Sequence, residues 1–228
     1  MPVVDAELQR PGPRRAPDAP DRGHRPPPPP SPGNGDGQPH PRPGGLPLSN
    51  ARLGTLMLLG GESMFFGGLV VAFLQLRLSA AVWPPPGQPR LPIGLTAANT
   101  LVLLGSSYTL LRALRAVRAG DRRGLGAWLA ATGGLGTLFL AVQGLEWARL
   151  VHFGLTVSSG IFGATFYTLI GVHGAHVLGA VTWLGVTLAA AHRGRYTPSA
   201  HERLVCCAMY WHFVVALWPV LYFLVYLT

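Results

Sequence analysis

Residues 53–76 read LGTLMLLGGESMFFGGLVVAFLQL, an apolar run with a single charge, Glu62, and no basic residue inside it. About 20 predominantly apolar residues in a helix suffice to cross the hydrocarbon core of a bilayer. The run is long enough to do so, and Glu62 falls near its middle. A carboxylate at that depth costs about 2.5–3.5 kcal/mol on insertion scales, so its side chain is expected to face protein or water and to serve a function.

The rest of the chain repeats the pattern. Five segments are long and apolar enough to span, at about 52–76, 94–117, 125–149, 160–191 and 204–227. Pro84–Pro86 break the chain after the first, Gly120-Asp121 after the second, Gly154 to Gly160 after the third, and His192 to His201, with Pro198, after the fourth. Only 12% of the 228 residues are charged and 49% are hydrophobic, with mean hydropathy +0.32. Soluble domains carry about 25% charged residues, so the composition is that of an integral membrane protein. The fold class is therefore an all-α polytopic membrane helix bundle with five transmembrane helices.

The net charge is +9, and all 18 basic residues are arginine. A basic excess can mean nucleic acid, but these arginines cluster in a tail and in loops beside apolar spans, as membrane topology requires, and no nucleic-acid partner is expected. Fifteen lie on one side: the seven up to Arg52, then Arg112, Arg115, Arg118, Arg122 and Arg123, then Arg193, Arg195 and Arg203. Arg77, Arg90 and Arg149 lie on the other. The positive-inside rule then puts the N-terminus inside and the C-terminus, Thr228, outside.

Residues 1–48 are different in kind. They hold the run Pro26–Pro30 amid Gly, Arg and Asp, and few large apolar residues. Such a segment cannot bury enough surface to offset its ordering entropy, so a disordered cytoplasmic tail with polyproline II character is expected, followed by a five-helix domain over 49–228. The tail has no apolar core of a signal peptide.

Few side chains in the spans can do chemistry. Glu62 reads either as a proton-relay group or as a buried carboxyl that ties helices together. Glu146, beside Trp147 and Arg149, reads as an interfacial pairing residue. His173 and His176 stand i and i+3 on one helix face, and His212 on the last span could approach them; a metal or haem site can be drawn from the three, and so can ordinary hydrogen bonding. Cys206 and Cys207 are adjacent and read as apolar filler. The stretch from Tyr210, Trp211 and Phe213 to Trp218, Tyr222 and Tyr226 reads as helix packing or lipid contact. Gly60, Gly61, Gly67 and Gly68 in the first span, with further glycines in the third and fourth, predict close helix contacts and a face open to another membrane protein.

Six strings in order carry a resemblance. They are Arg52-Leu53-Gly54 leading to Glu62-Ser63-Met64-Phe65-Phe66; Trp83-Pro84-Pro85-Pro86-Gly87; Asn99-Thr100 with Ser106-Ser107; Gln143-Gly144-Leu145-Glu146-Trp147; Phe162-Gly163-Ala164-Thr165-Phe166-Tyr167 with His173-Gly174-Ala175-His176; and Tyr210-Trp211-His212-Phe213. Together they resemble subunit III of haem–copper oxidases, the cytochrome c oxidase type, in its short five-helix bacterial form, over about residues 50–228. The resemblance implies a non-catalytic subunit of a proton-pumping cytochrome c oxidase in the bacterial plasma membrane. It implies packing on subunit I, with subunit II nearby, bound phospholipid, support of proton uptake, and no haem or copper on this chain. By the same resemblance Glu62, Glu146, His173 and His176 are buried polar residues supporting a proton path, and His212, Trp211, Tyr210 and Trp83 are lipid or interface residues. Val215 and Val205 stand where the family usually has acids. An accessory protein of a nitric oxide reductase or quinol oxidase, and a stand-alone haem-binding bundle, are the alternatives.

Overall fold

The computed structural model describes residues 48–86 and 92–227. The tail up to residue 47, Gly87, Arg90 and Thr228 lie outside the described residues, and with them the expectations for the tail and for the C-terminal residue. Five helices follow one another: α1 (Asn50–Leu78), α2 (Ile93–Arg118), α3 (Arg122–His152), α4 (Ile161–His192) and α5 (Glu202–Tyr222), the last running into a π-helical turn at Phe223–Leu227. All five are long and apolar enough to cross a membrane. No strand occurs among the described residues. The spans read from the sequence match to within a few residues, α3 being longer at both ends.

Local chemistry sets the ends. Asp121 caps α3, its Oδ1 accepting from the Gly124 N–H at 2.9 Å, which satisfies one of the amides a helix start leaves unpaired. Helices α2, α3 and α4 stop in the same way. Gly120, Gly154 and Gly194 take φ of 74°, 90° and 69°, a left-handed turn that glycine adopts without a Cβ penalty. The next N–H then reaches back to the carbonyl five residues earlier, from Asp121 to Ala116, from Leu155 to Leu150 and from Arg195 to Ala190.

Helices α2 to α5 close a four-membered ring of antiparallel neighbours, α2 against α3, α3 against α4, α4 against α5 and α5 back against α2. Helix α1 leans on α5 and α4 from outside. Only Thr55, Phe66 and Phe73 of α1 are buried. The core of the ring is aromatic and aliphatic, with Trp211, Trp218, Phe139, Phe166, Leu110 and Leu129 sealed inside.

The glycines divide into two groups. Gly136 sits under the Trp211 ring, where a Cβ would collide with the indole edge and with Val181; the absence of a side chain leaves the room that the α5 indole fills across the ring against α3. The glycines of α1 (Gly54, Gly60, Gly61, Gly67 and Gly68) have nothing within 4 Å of the position a Cβ would take. Their face is uncovered by the described residues.

Candidate functional site

The polar residues of the spans form three groups. The first joins α1 to α4. Glu62 Oε2 lies 3.0 Å from His176 Nε2, with both side chains about one-fifth exposed at 19% and 20%. His176 Nδ1 is 2.7 Å from the Val172 carbonyl on its own helix. A carbonyl can only accept, so Nδ1 carries a proton and Nε2 is the atom left to face Glu62. The contact then holds one proton between oxygen and nitrogen, whether as imidazolium and carboxylate or as imidazole and carboxylic acid. Phe66 packs edge-on against the His176 ring at 5.0 Å, and Phe65 lies at 6.3 Å. The absence of a basic partner inside the first run is met from another helix.

The second group ties α2, α3 and the C-terminal turn. Glu146 is 1% exposed. Its carboxylate oxygens both lie 3.1 Å from the Thr96 hydroxyl, and Gln143 Nε2 donates to Oε2 at 3.1 Å. The same amide nitrogen lies 3.2 Å from the Tyr226 hydroxyl. Glu146 is thus one of the buried polar residues, and its bonds run to Thr96 and Gln143. Trp147 turns to Gly171, Gly174 and Tyr167 on α4, and the ring turns position 146 inward onto Thr96.

The third group runs between α2 and α5, one rung after another. Trp218 Nε1 donates to Thr100 Oγ1 at 2.8 Å, Trp211 Nε1 to Ser106 Oγ at 3.1 Å, and His212 Nδ1 meets Ser107 Oγ at 3.0 Å. Asn99 Nδ2 crosses to the Phe139 carbonyl at 3.1 Å. Such pairs between membrane helices are worth about 0.6 kcal/mol each on average. Trp211 is sealed inside the ring, at 1% exposure, and of the two readings of the aromatic stretch, helix packing or lipid contact, it takes helix packing, joining α5 to α2. Trp83 packs edge-on against Phe73 and Phe162, at 5.8 and 5.2 Å, bridging the end of α1 and the start of α4. Tyr210 stacks obliquely on Trp183 at 5.6 Å.

The three histidines do not converge. His176 turns to Glu62 and His212 to Ser107. His173 is wholly buried, stacked on Trp218 at 5.1 Å with an interplanar angle of 26°. No group of three or more His, Cys, Asp or Glu that could hold a metal occurs among the described residues. Cys206 and Cys207 are both buried and free. Sequence reasoning missed Thr96 and the hydrogen-bonding part played by Tyr226 and Trp218. The only signal for them was a hydroxyl or N–H within an apolar span, which does not say where the partner is.

These features define an integral membrane bundle whose polar residues bond helices to one another. The family model described as "Cytochrome c oxidase subunit III" matches residues 48–228. A cytochrome c oxidase subunit 3 of Synechocystis sp. is 37% identical over 175 residues, covering 76% of this chain and 74% of the relative. That of Thermostichus vulcanus is 35% identical over 176 residues, 77% of this chain and 86% of the relative. A protein of Nocardia farcinica named probable cytochrome c oxidase subunit 3 is 34% identical over 174 residues, with 76% and 86% covered. The chain belongs to the cytochrome c oxidase subunit III family.

Proposed function

We propose that this chain is the non-catalytic third subunit of a bacterial proton-pumping cytochrome c oxidase, serving aerobic respiration in the plasma membrane. It packs on the catalytic subunit I, with subunit II in the same complex, binds membrane phospholipid, and supports proton uptake and the working life of the enzyme. Its N-terminus is inside, on the arginine count, and its C-terminus outside. The redox groups, haem and copper, are held by partner subunits.

The observation that carries the reading is the Glu62–His176 contact, 3.0 Å long and only partly screened from the surroundings of α1. In a membrane an acid and an imidazole sharing one proton make a net-neutral pair, so neither group stands as an isolated charge in the hydrocarbon. The uncovered glycine face of α1 fits a second membrane protein that packs closely, since small residues let helix backbones approach. The relatives named for cytochrome c oxidase favour this reading over the nitric oxide reductase and quinol oxidase alternatives.

The test is chemical cross-linking in intact membranes, followed by affinity purification of the tagged chain, mass spectrometry and an optical spectrum. Recovery of a larger membrane subunit with reduced a-type haem bands, and oxygen uptake on cytochrome c, is expected. Cross-linked product free of oxidase subunits, or haem that stays on the chain alone and is lost in His173→Ala or His212→Ala, overturns the proposal.

A further inference from the structure

A groove of about 400 Å³ opens between the antiparallel helices α3 and α4. Leu140 and Leu178 line one end, Trp147 and Gly171 the other, with Gly144 and Gly174 between. The glycines are what leave the space. At Gly144 nothing stands within 4 Å of the place a Cβ would take, and at Gly171 and Gly174 the Trp147 ring lies 3.6 and 3.5 Å from that place. No charged side chain lines the groove among the described residues.

Two polar side chains line it as well, Gln143 and Trp147, about one turn apart on one face of α3. Gln143 is 4% exposed. Its Nε2 donates inward to the Glu146 carboxylate and lies beside the Tyr226 hydroxyl. A carboxylate oxygen only accepts, which fixes the end of the amide that is nitrogen. Oε1 therefore points away from those two groups, and it has no hydrogen-bond partner among the described residues. Trp147 Nε1 has none either. Both atoms are covered, and the open space at Gly144 gives the indole room to turn and uncover them. A carbonyl and an N–H left unpaired in hydrocarbon are costly. One hydroxyl answers both, since its oxygen accepts from the indole and its proton goes to the amide carbonyl. With no cation to hold a phosphate and no acid to hold an amine, the walls select a neutral head. Glycine backbone beside an indole suits a planar one. The volume is at the small end for ligand pockets, which run from about 300 to 1,000 Å³, so it takes a ring and part of a chain.

We propose that this groove binds a neutral, hydroxyl-bearing ring compound of the membrane, a phenol or hydroquinone on an apolar tail, with its hydroxyl between Gln143 Oε1 and Trp147 Nε1. The proposal stands on the groove itself and does not depend on the oxidase reading. The test uses the full-length chain in phosphatidylcholine nanodiscs with tritiated para-octylphenol, bound counts being read by scintillation proximity against protein-free nanodiscs. Saturable binding is expected. Para-octylanisole, whose ether oxygen accepts but cannot donate, is expected to compete about threefold to tenfold more weakly, the effect of one hydrogen bond, and octylbenzene more weakly again. In Gln143→Leu, which removes the acceptor, the phenol and the anisole are expected to compete equally. Trp147→Phe, which removes the donor, is expected to weaken both. Gly144→Leu, which fills the groove and keeps both polar groups, is expected to abolish saturable binding, whereas Gly179→Leu, at an open position of α4 outside the groove, leaves affinity within about twofold. The variants are compared at equal helical ellipticity. Gln143 also holds Glu146, so if Gln143→Leu unfolds, Gly144→Leu and the anisole comparison decide. No saturable binding, equal competition by the phenol and octylbenzene in the unaltered chain, or full affinity in Gly144→Leu overturns the proposal.

Discussion

Glu62 of α1 and His176 of α4 meet at 3.0 Å across a helix interface flanked by Phe65 and Phe66. Helix α1 buries only three of its residues, and this contact and the 3.6 Å Arg52–Glu202 pair to α5 are polar ties it makes to its neighbours. Glu62→Ala is expected to lower stability by about 1–3 kcal/mol, the cost of stranding a half-buried polar partner. Glu62→Gln, which can still bond to Nε2, is expected to cost less. Thermal unfolding in detergent, together with the yield of an α1–α4 cysteine cross-link, measures both; equal effects of the two substitutions would argue against the contact.

Gly136 supports the Trp211 ring, and its lack of a side chain is structural. Gly136→Ala drives a methyl group into the indole edge and Val181, an overpacking expected to cost about 1–3 kcal/mol. Gly144→Ala, with nothing within 4 Å, is expected to be neutral or to stabilise by up to about 1 kcal/mol, because alanine is the better helix former. A pair of unfolding curves separates the two sites.

The rungs between α2 and α5 are separately measurable. A double-mutant cycle of Trp218→Phe with Thr100→Val is expected to give a coupling of about 0.6 kcal/mol, the value typical of hydrogen bonds between membrane helices. A coupling within error of zero would mean that the 2.8 Å geometry contributes nothing net.

Tyr196 lies in the loop between α4 and α5, and burial pushes its phenol above the ordinary value of 10.0, against the opposing pull of Arg203 and Arg195. The folded state therefore keeps the proton longer than the unfolded state does. The stability it contributes is fully present below pH 10.0 and is lost as pH rises through the folded value. An alkaline difference spectrum of the protein against Tyr196→Phe should show one phenol titrating late, and the variant should lose less stability on going above pH 10.0. A Tyr196 that titrates with the exposed tyrosines would refute this.

How much of this was legible in the chain depends on the range of the interaction. Hydropathy over residues 53–76 alone decides that a helix crosses a membrane, because every backbone group in hydrocarbon must be satisfied within its own segment. The same local logic gives five spans and the breaks at Gly120, at Gly154 to Gly160 and at His192 to His201. It also marks Glu62 and His176 as unusual, since a polar group in an apolar run is costly wherever its partner is. The partner itself is another matter. Glu62 finds His176 more than a hundred positions along, Trp218 finds Thr100, and Glu146 turns inward to Thr96 on another helix. Side-chain periodicity says which face of a helix a residue occupies but not which helix that face meets. Only the closing of α2 to α5 into a ring, with α1 laid against its outside, decides that, because it is packing between distant segments that brings each donor to its acceptor.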